Sequence, residues 1–184
     1  MARLVLVRHG RPAIDPAVPP SRWELAGEAA DEIRAIAPVG DPSAAWYSSP
    51  EPKALATAAI LGPDHVEVVA DLREAERTAA WFDDAQDFRA AVRRWFQHPD
   101  EPGRSGWETP ASCRDRVTAA VRGLLDPSRA TVLVGHGTAW KLLVAELTGD
   151  APDLDAWAAM PLPAVAELDV APGGRARLLH TWRG

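Results

Sequence analysis

Two apolar runs lack any polar alternation: ARLVLV at residues 2–7 and RATVLVG at residues 129–135. A strand that is apolar on both sides of its pleat must be covered on both faces, which is the situation of a central strand in a sheet sandwiched between helices. Two further short runs of strand character, SAAWYSSP at 43–50 and HVEVVA at 65–70, stand between these two. Helical patterns fill the intervals. RWELAGEAADEIRAIAP spaces Leu25, Ala29, Ile33 and Ile36 on one face and stops at Pro38, and EPKALATAAIL carries Pro52 early, where its missing N–H costs little. DDAQDFRAAVRRWFQHP gathers Phe88, Val92, Trp95 and Phe96, ASCRDRVTAAVRGLL gathers Val117, Val121 and Leu124, and TAWKLLVAELTG follows the fourth strand. PAVAELDVAPGGRARLLHTW reads as a terminal hairpin around Pro-Gly-Gly. Strands alternating with helices predict an α/β chain: a three-layer α/β/α sandwich with a mostly parallel sheet.

At 184 residues the chain makes one core, and the expected organisation is a single domain over 1–184. The net charge of −6 argues against nucleic acid or an anionic membrane as partner. The lone cysteine, Cys113, allows no internal disulfide, the apolar start is too short for a signal peptide, and no segment is long enough to span a bilayer; a cytoplasmic protein is expected.

Both unbroken strands end in the same way, at Arg8-His9-Gly10 and at Gly135-His136-Gly137. Parallel strands deliver their carboxyl ends to one edge, where ligands bind. The loop after the second strand adds Lys53 there, and the loop after the third adds Glu74 and Glu76. Two imidazoles, two or three cations and glycine backbone at Gly10 and Gly137 suit a tetrahedral dianion, and phosphate is the obvious one. A neutral imidazole among cations is a nucleophile toward phosphorus, the cations balance the equatorial oxygens without a metal, and a carboxylic acid protonates the leaving oxygen. Metal-ligand spacings such as H-x-x-x-H or C-x-x-C are absent, and GHGTAWK is not a phosphate-binding P-loop. No cofactor is called for.

LVLVRHG, SSPEPKALATA, DLREAE and VLVGHG, with WELAGEAA and WETPASCRDRV between them, resemble in order the signatures of the histidine phosphatase superfamily, the phosphoglycerate-mutase-like fold. The resemblance implies that His9 is the phosphorylated nucleophile, that Arg8 and His136 grip the phosphoryl group, and that Glu74 is the proton donor. Glu76 stands in reserve, because the glycine and tryptophan pattern that often follows the family's acid is missing. Three departures stand out. Lys53 replaces the second arginine, although only Lys53 and Lys141 of the 20 basic residues are lysine, and it loses the bidentate fork. Asp15 replaces an asparagine that helps hold phosphate, and must turn away or pair with a cation such as Arg11. The segment around 77–111 is short, a small cap-like insertion that favours phosphatase over mutase. The expected activity is a metal-independent phosphomonoesterase, with a small phosphorylated molecule or a phosphoprotein as partner. A mutase and a weakly active phosphate-binding member are the alternatives. Trp81 and Trp107 are candidates to line the pocket, Lys141 is expected on a helix surface, and Cys113 inside a helix.

Overall fold

The computed structural model describes residues 1–78 and 82–184. Six strands form one sheet: β1 (Ala2–Arg8), β2 (Ala45–Ser48), β3 (Glu67–Val68), β4 (Thr131–Gly135), β5 (Ala164–Val170) and β6 (Ala176–Arg183), in the order β3-β2-β4-β1-β5-β6. The first four run parallel, and β5 and β6 add an antiparallel hairpin beside β1. The α/β sandwich is as the sequence predicts, with β3 cut to two residues at the sheet edge.

Among the described residues six α-helices accompany the sheet: α1 (Ala29–Ala35), α2 (Pro52–Leu61), α3 (Ala85–Gln97), α4 (Pro110–Leu124), α5 (Gly137–Thr148) and α6 (Leu154–Ala158). The unbroken apolar strands split by pleat. Leu4, Leu6, Leu133 and Leu168 enter one core with Val92, Trp95, Val117, Val121, Trp140 and Leu143 from α3, α4 and α5. Val5, Val7, Val132, Val134 and Val165 enter the other with Ile36, Ala54 and Ala58. Period two with both sides apolar is the signature of a strand buried on both faces. Trp95 and Phe96 belong to the first core, so α3 is anchored there.

Two expectations are corrected. The first helix starts at Ala29, not near Arg22, because its would-be first turns pair with the loop after β1: Ala13 N–H donates to Glu24 O and Ala26 N–H to Arg11 O, both at 2.9 Å. Leu25 sits in an isolated bridge with Pro12, and Gly27 has little helical preference of its own. Lys141 is not on a surface; it is 6% exposed, with its ammonium 5.8 Å from the Trp182 ring centroid. Residues 154–158, for which the sequence predicts no element, form α6 with Asp153 accepting from Ala156 N–H at 2.9 Å. No helix among the described residues is long and apolar enough to cross a membrane.

Candidate active site

Register brings the two histidines together. Arg8 is paired with Gly135 across β1 and β4, so the next residue on each chain, His9 and His136, leaves the sheet at the same level. Adjacent strands are about 4.8 Å apart, and the two rings meet edge to face with centroids 5.1 Å apart. Neighbouring β2 ends at the same level and places Ser49 Oγ 2.7 Å from His136 Nε2.

His9 is 7% exposed, and its Nδ1 donates to Gly10 O at 2.7 Å. A carbonyl oxygen only accepts, so Nδ1 carries the hydrogen and Nε2 keeps its lone pair. Burial lowers the His9 pKa well below 6.5, and His136, Lys53 and Arg8 lower it further. His136 is fully buried, and burial takes it down to about 3. Both imidazoles are therefore neutral at pH 7. Gly10 N–H donates to Thr57 Oγ1 at 2.9 Å, and Thr57 in turn donates to Lys53 O at 2.7 Å, so α2 pins the turn that carries His9.

Arg8 reaches across the rim to donate to Met160 O and Pro161 O, and burial lowers its pKa to about 10. Its guanidinium lies against the start of α5: a Cβ on Gly137 would stand 2.9 Å from Arg8 Nε, so a side chain at 137 would displace the arginine. Arg8 Nε and His136 Nδ1 are buried and have no hydrogen-bond partner among the described residues. A buried charged donor without an acceptor is costly in a folded protein, and an oxygen brought to Arg8 Nε would relieve that cost.

Glu74 is drawn into the same cluster. Its carboxylate accepts from Ala75 and Ala139 N–H at 2.9 Å and from Thr138 N–H at 3.2 Å, closing the N-terminus of α5. Burial pushes its pKa up, but Arg77, His136 and the amides outweigh it and bring it down to about 2. Glu76 is exposed, and its N–H donates to Glu108. Geometry thus separates the two acids. Glu74→Gln is expected to lower phosphatase turnover on the order of 100-fold, and Glu76→Gln to leave it within about twofold of wild type; steady-state hydrolysis of p-nitrophenyl phosphate checks both.

Lys53 is buried at 4% exposure, and its Nζ donates to Pro20 O at 2.7 Å and to Glu51. Asp15 turns into its own loop, where Oδ1 accepts from Ala17 N–H at 2.9 Å, and Arg11 pairs with Glu32 instead. Trp107 is 6% exposed and belongs to the core, while Trp81 lies outside the described residues. Cys113 is buried, and burial pushes its thiol pKa far up.

Four side chains join the cluster unannounced: Ser49, Glu51, Thr57 and Arg77. The first three lie inside SSPEPKALATA, so the motif signalled their position but not their contacts. Arg77 donates to Thr138 Oγ1 at 2.9 Å and is ringed by Phe88, Trp95 and Trp107 at 5.6, 6.0 and 5.2 Å. Nothing in its local sequence distinguishes it. Among the described residues no group of three His, Cys, Asp or Glu side chains could hold a metal ion. An open cleft of about 530 Å³ lies away from this cluster, beside Met1, Asp41 and Ser128.

A family model described as histidine phosphatase superfamily (branch 1) matches residues 4–182. The chain belongs to that superfamily. Two solved structures of similar fold are those of phosphatases. The native structure of a mycobacterial glucosyl-3-phosphoglycerate phosphatase is 24% identical, with a TM-score of 0.77 and 97% of each chain covered. A mutant phosphoserine phosphatase from Entamoeba histolytica in complex with phosphoserine is 18% identical, with a TM-score of 0.72 over 97% of this chain and 95% of that one. No curated protein sequence is a match.

Proposed function

We propose that the protein is a metal-independent phosphomonoesterase that works through a phosphohistidine at His9. The observation that carries this reading is the pair of neutral imidazoles at 5.1 Å beside a buried guanidinium whose Nε has no partner among the described residues. Arg8, Lys53, His136 and the backbone of Gly137 hold the phosphoryl oxygens, whereas Gly10, whose N–H is engaged by Thr57 and whose carbonyl is engaged by His9, serves the turn and not the ligand. His9 Nε2 attacks phosphorus; the N–P bond forms as the ester P–O bond breaks, and the leaving oxygen takes a proton from Glu74. Glu74 obtains that proton because a dianion beside it raises its pKa. Water then attacks the phosphohistidine, gives its proton to Glu74, and inorganic phosphate leaves. The ester is that of a small molecule or a phosphorylated protein. Action in the cytoplasm belongs to the same reading, supported by a single buried thiol.

The test is hydrolysis of p-nitrophenyl phosphate in the presence of excess chelator. Undiminished turnover is expected, and loss of activity with chelator overturns the metal-free mechanism. The engagement of Lys53 by Glu51 and Pro20 O favours a second reading, a weakly catalytic phosphate-binding member. Near-zero wild-type turnover beside intact phosphate binding selects it.

A further inference from the structure

Glu51 sits between two prolines at the start of α2, and its side chain is 7% exposed. One carboxylate oxygen, Oε2, accepts from Lys53 Nζ. The other, Oε1, accepts from Glu74 N–H at 2.8 Å and lies 3.4 Å from His136 Nε2. An ammonium on one oxygen and a backbone amide on the other, beside an imidazole whose hydrogen bond goes to Ser49, are the partners an oxyanion uses. In this structure the anion they hold is the protein's own.

A phosphoryl dianion brought to His9 and His136 meets this carboxylate at close range. Two like charges at about 4 Å repel by several kcal/mol at an effective dielectric near 20, enough to weaken binding strongly. Protonation of Glu51 removes the repulsion, frees Lys53 to turn to the phosphoryl group, and converts the carboxyl from acceptor to donor. Its surroundings favour that step: burial raises the Glu51 pKa, Lys53 and its hydrogen bond lower it, and Glu74 raises it again. The charged and titratable groups around it are Lys53 from α2, Glu74 from the loop ahead of α3, His136 ahead of α5, and Arg8 with His9 at the end of β1.

Resting on the reading of this rim as a phosphoryl site, we infer that Glu51 is a proton-operated gate: its ionised carboxylate occupies Lys53 beside His136, and the dianion binds with uptake of one proton at Glu51. Binding and product inhibition by phosphate are accordingly tighter in acid than the titration of phosphate itself accounts for.

The experiment measures inorganic phosphate binding by calorimetry in two buffers of different ionisation enthalpy, across about pH 5.5 to 8, for wild type and Glu51→Gln. Wild type is expected to take up about one proton more per phosphate than the variant near neutral pH. The variant is expected to bind phosphate roughly tenfold more tightly at the alkaline end, with the two proteins converging at the acid end. Parallel affinity curves and equal proton uptake overturn the gate. The double variant Glu51→Gln, Lys53→Met keeps the buried pair neutral and must also lose the extra proton, which covers a single variant that does not fold. Hydrolysis of p-nitrophenyl phosphate is assayed separately: a difference in proton uptake without turnover leaves the gate standing and removes the phosphatase reading.

Discussion

Replacement of His9 by alanine is expected to lower phosphomonoester hydrolysis on the order of 10⁴-fold or more, the scale at which a covalent nucleophile is lost. The ring is placed for that role by three independent constraints. The β1–β4 register sets its height beside His136, Thr57 holds the turn at Gly10, and Gly10 O holds Nδ1 so that Nε2 carries the lone pair. A phosphoryl label on denatured wild type should be stable in alkali and labile in acid, as a phosphoramidate is, and absent from the variant. Because burial and the surrounding cations hold His9 neutral well below pH 6.5, turnover should show no acid limb near that value. A variant retaining a tenth of wild-type turnover, or a labelled residue elsewhere, would falsify the assignment.

Acidification is expected to destabilise the fold steeply through the same residues. His136 has a pKa of about 3 in the fold against 6.5 when unfolded, so below 6.5 the unfolded chain binds a proton that the native one refuses. Stability is therefore untouched above that value and falls by about 1.4 kcal/mol per pH unit below it for each such histidine. His136 alone removes roughly 5 kcal/mol by pH 3, a large share of a total of about 5–15 kcal/mol. His9 adds to the loss in the same direction. Glu74, depressed to about 2, contributes stability above 4.5 that disappears as pH falls toward 2. Glu51 acts oppositely: its raised pKa means that the fold regains stability as it protonates, between its native pKa and the ordinary value of 4.5. Denaturant unfolding between about pH 7 and 4 measures the slope. His136→Asn should flatten it by about one proton, and an unchanged slope would remove buried neutral imidazole as the cause.

The legible part of the site was the part written in local sequence. His9 and His136 each end an unbroken apolar strand, and Arg8, Gly10 and Gly137 adjoin them, so a parallel sheet alone carries all five to one rim. Lys53 and Glu74 follow strands of the same set. The Asp15 carboxylate turning into its own loop was one of two outcomes the sequence left open. Illegible was whatever depended on which partner a side chain meets. Lys141 carries a charge but is stacked near Trp182 on the inner side of α5, and Glu51 differs in no local respect from a solvated helix-start glutamate.

Apolar patterning by itself determined a doubly covered sheet and the edge at which the strands stop, because burying both faces of a strand is a requirement that each residue states individually. The pairing of Glu51 with Lys53, the seating of Glu74 on the amides of α5 and the ring of aromatics around Arg77 were decided only in three dimensions. The first is local but depends on burial that the two residues do not state for themselves, and the other two join separate segments; the energy of all three depends on distance and on exclusion of water, neither of which local sequence contains.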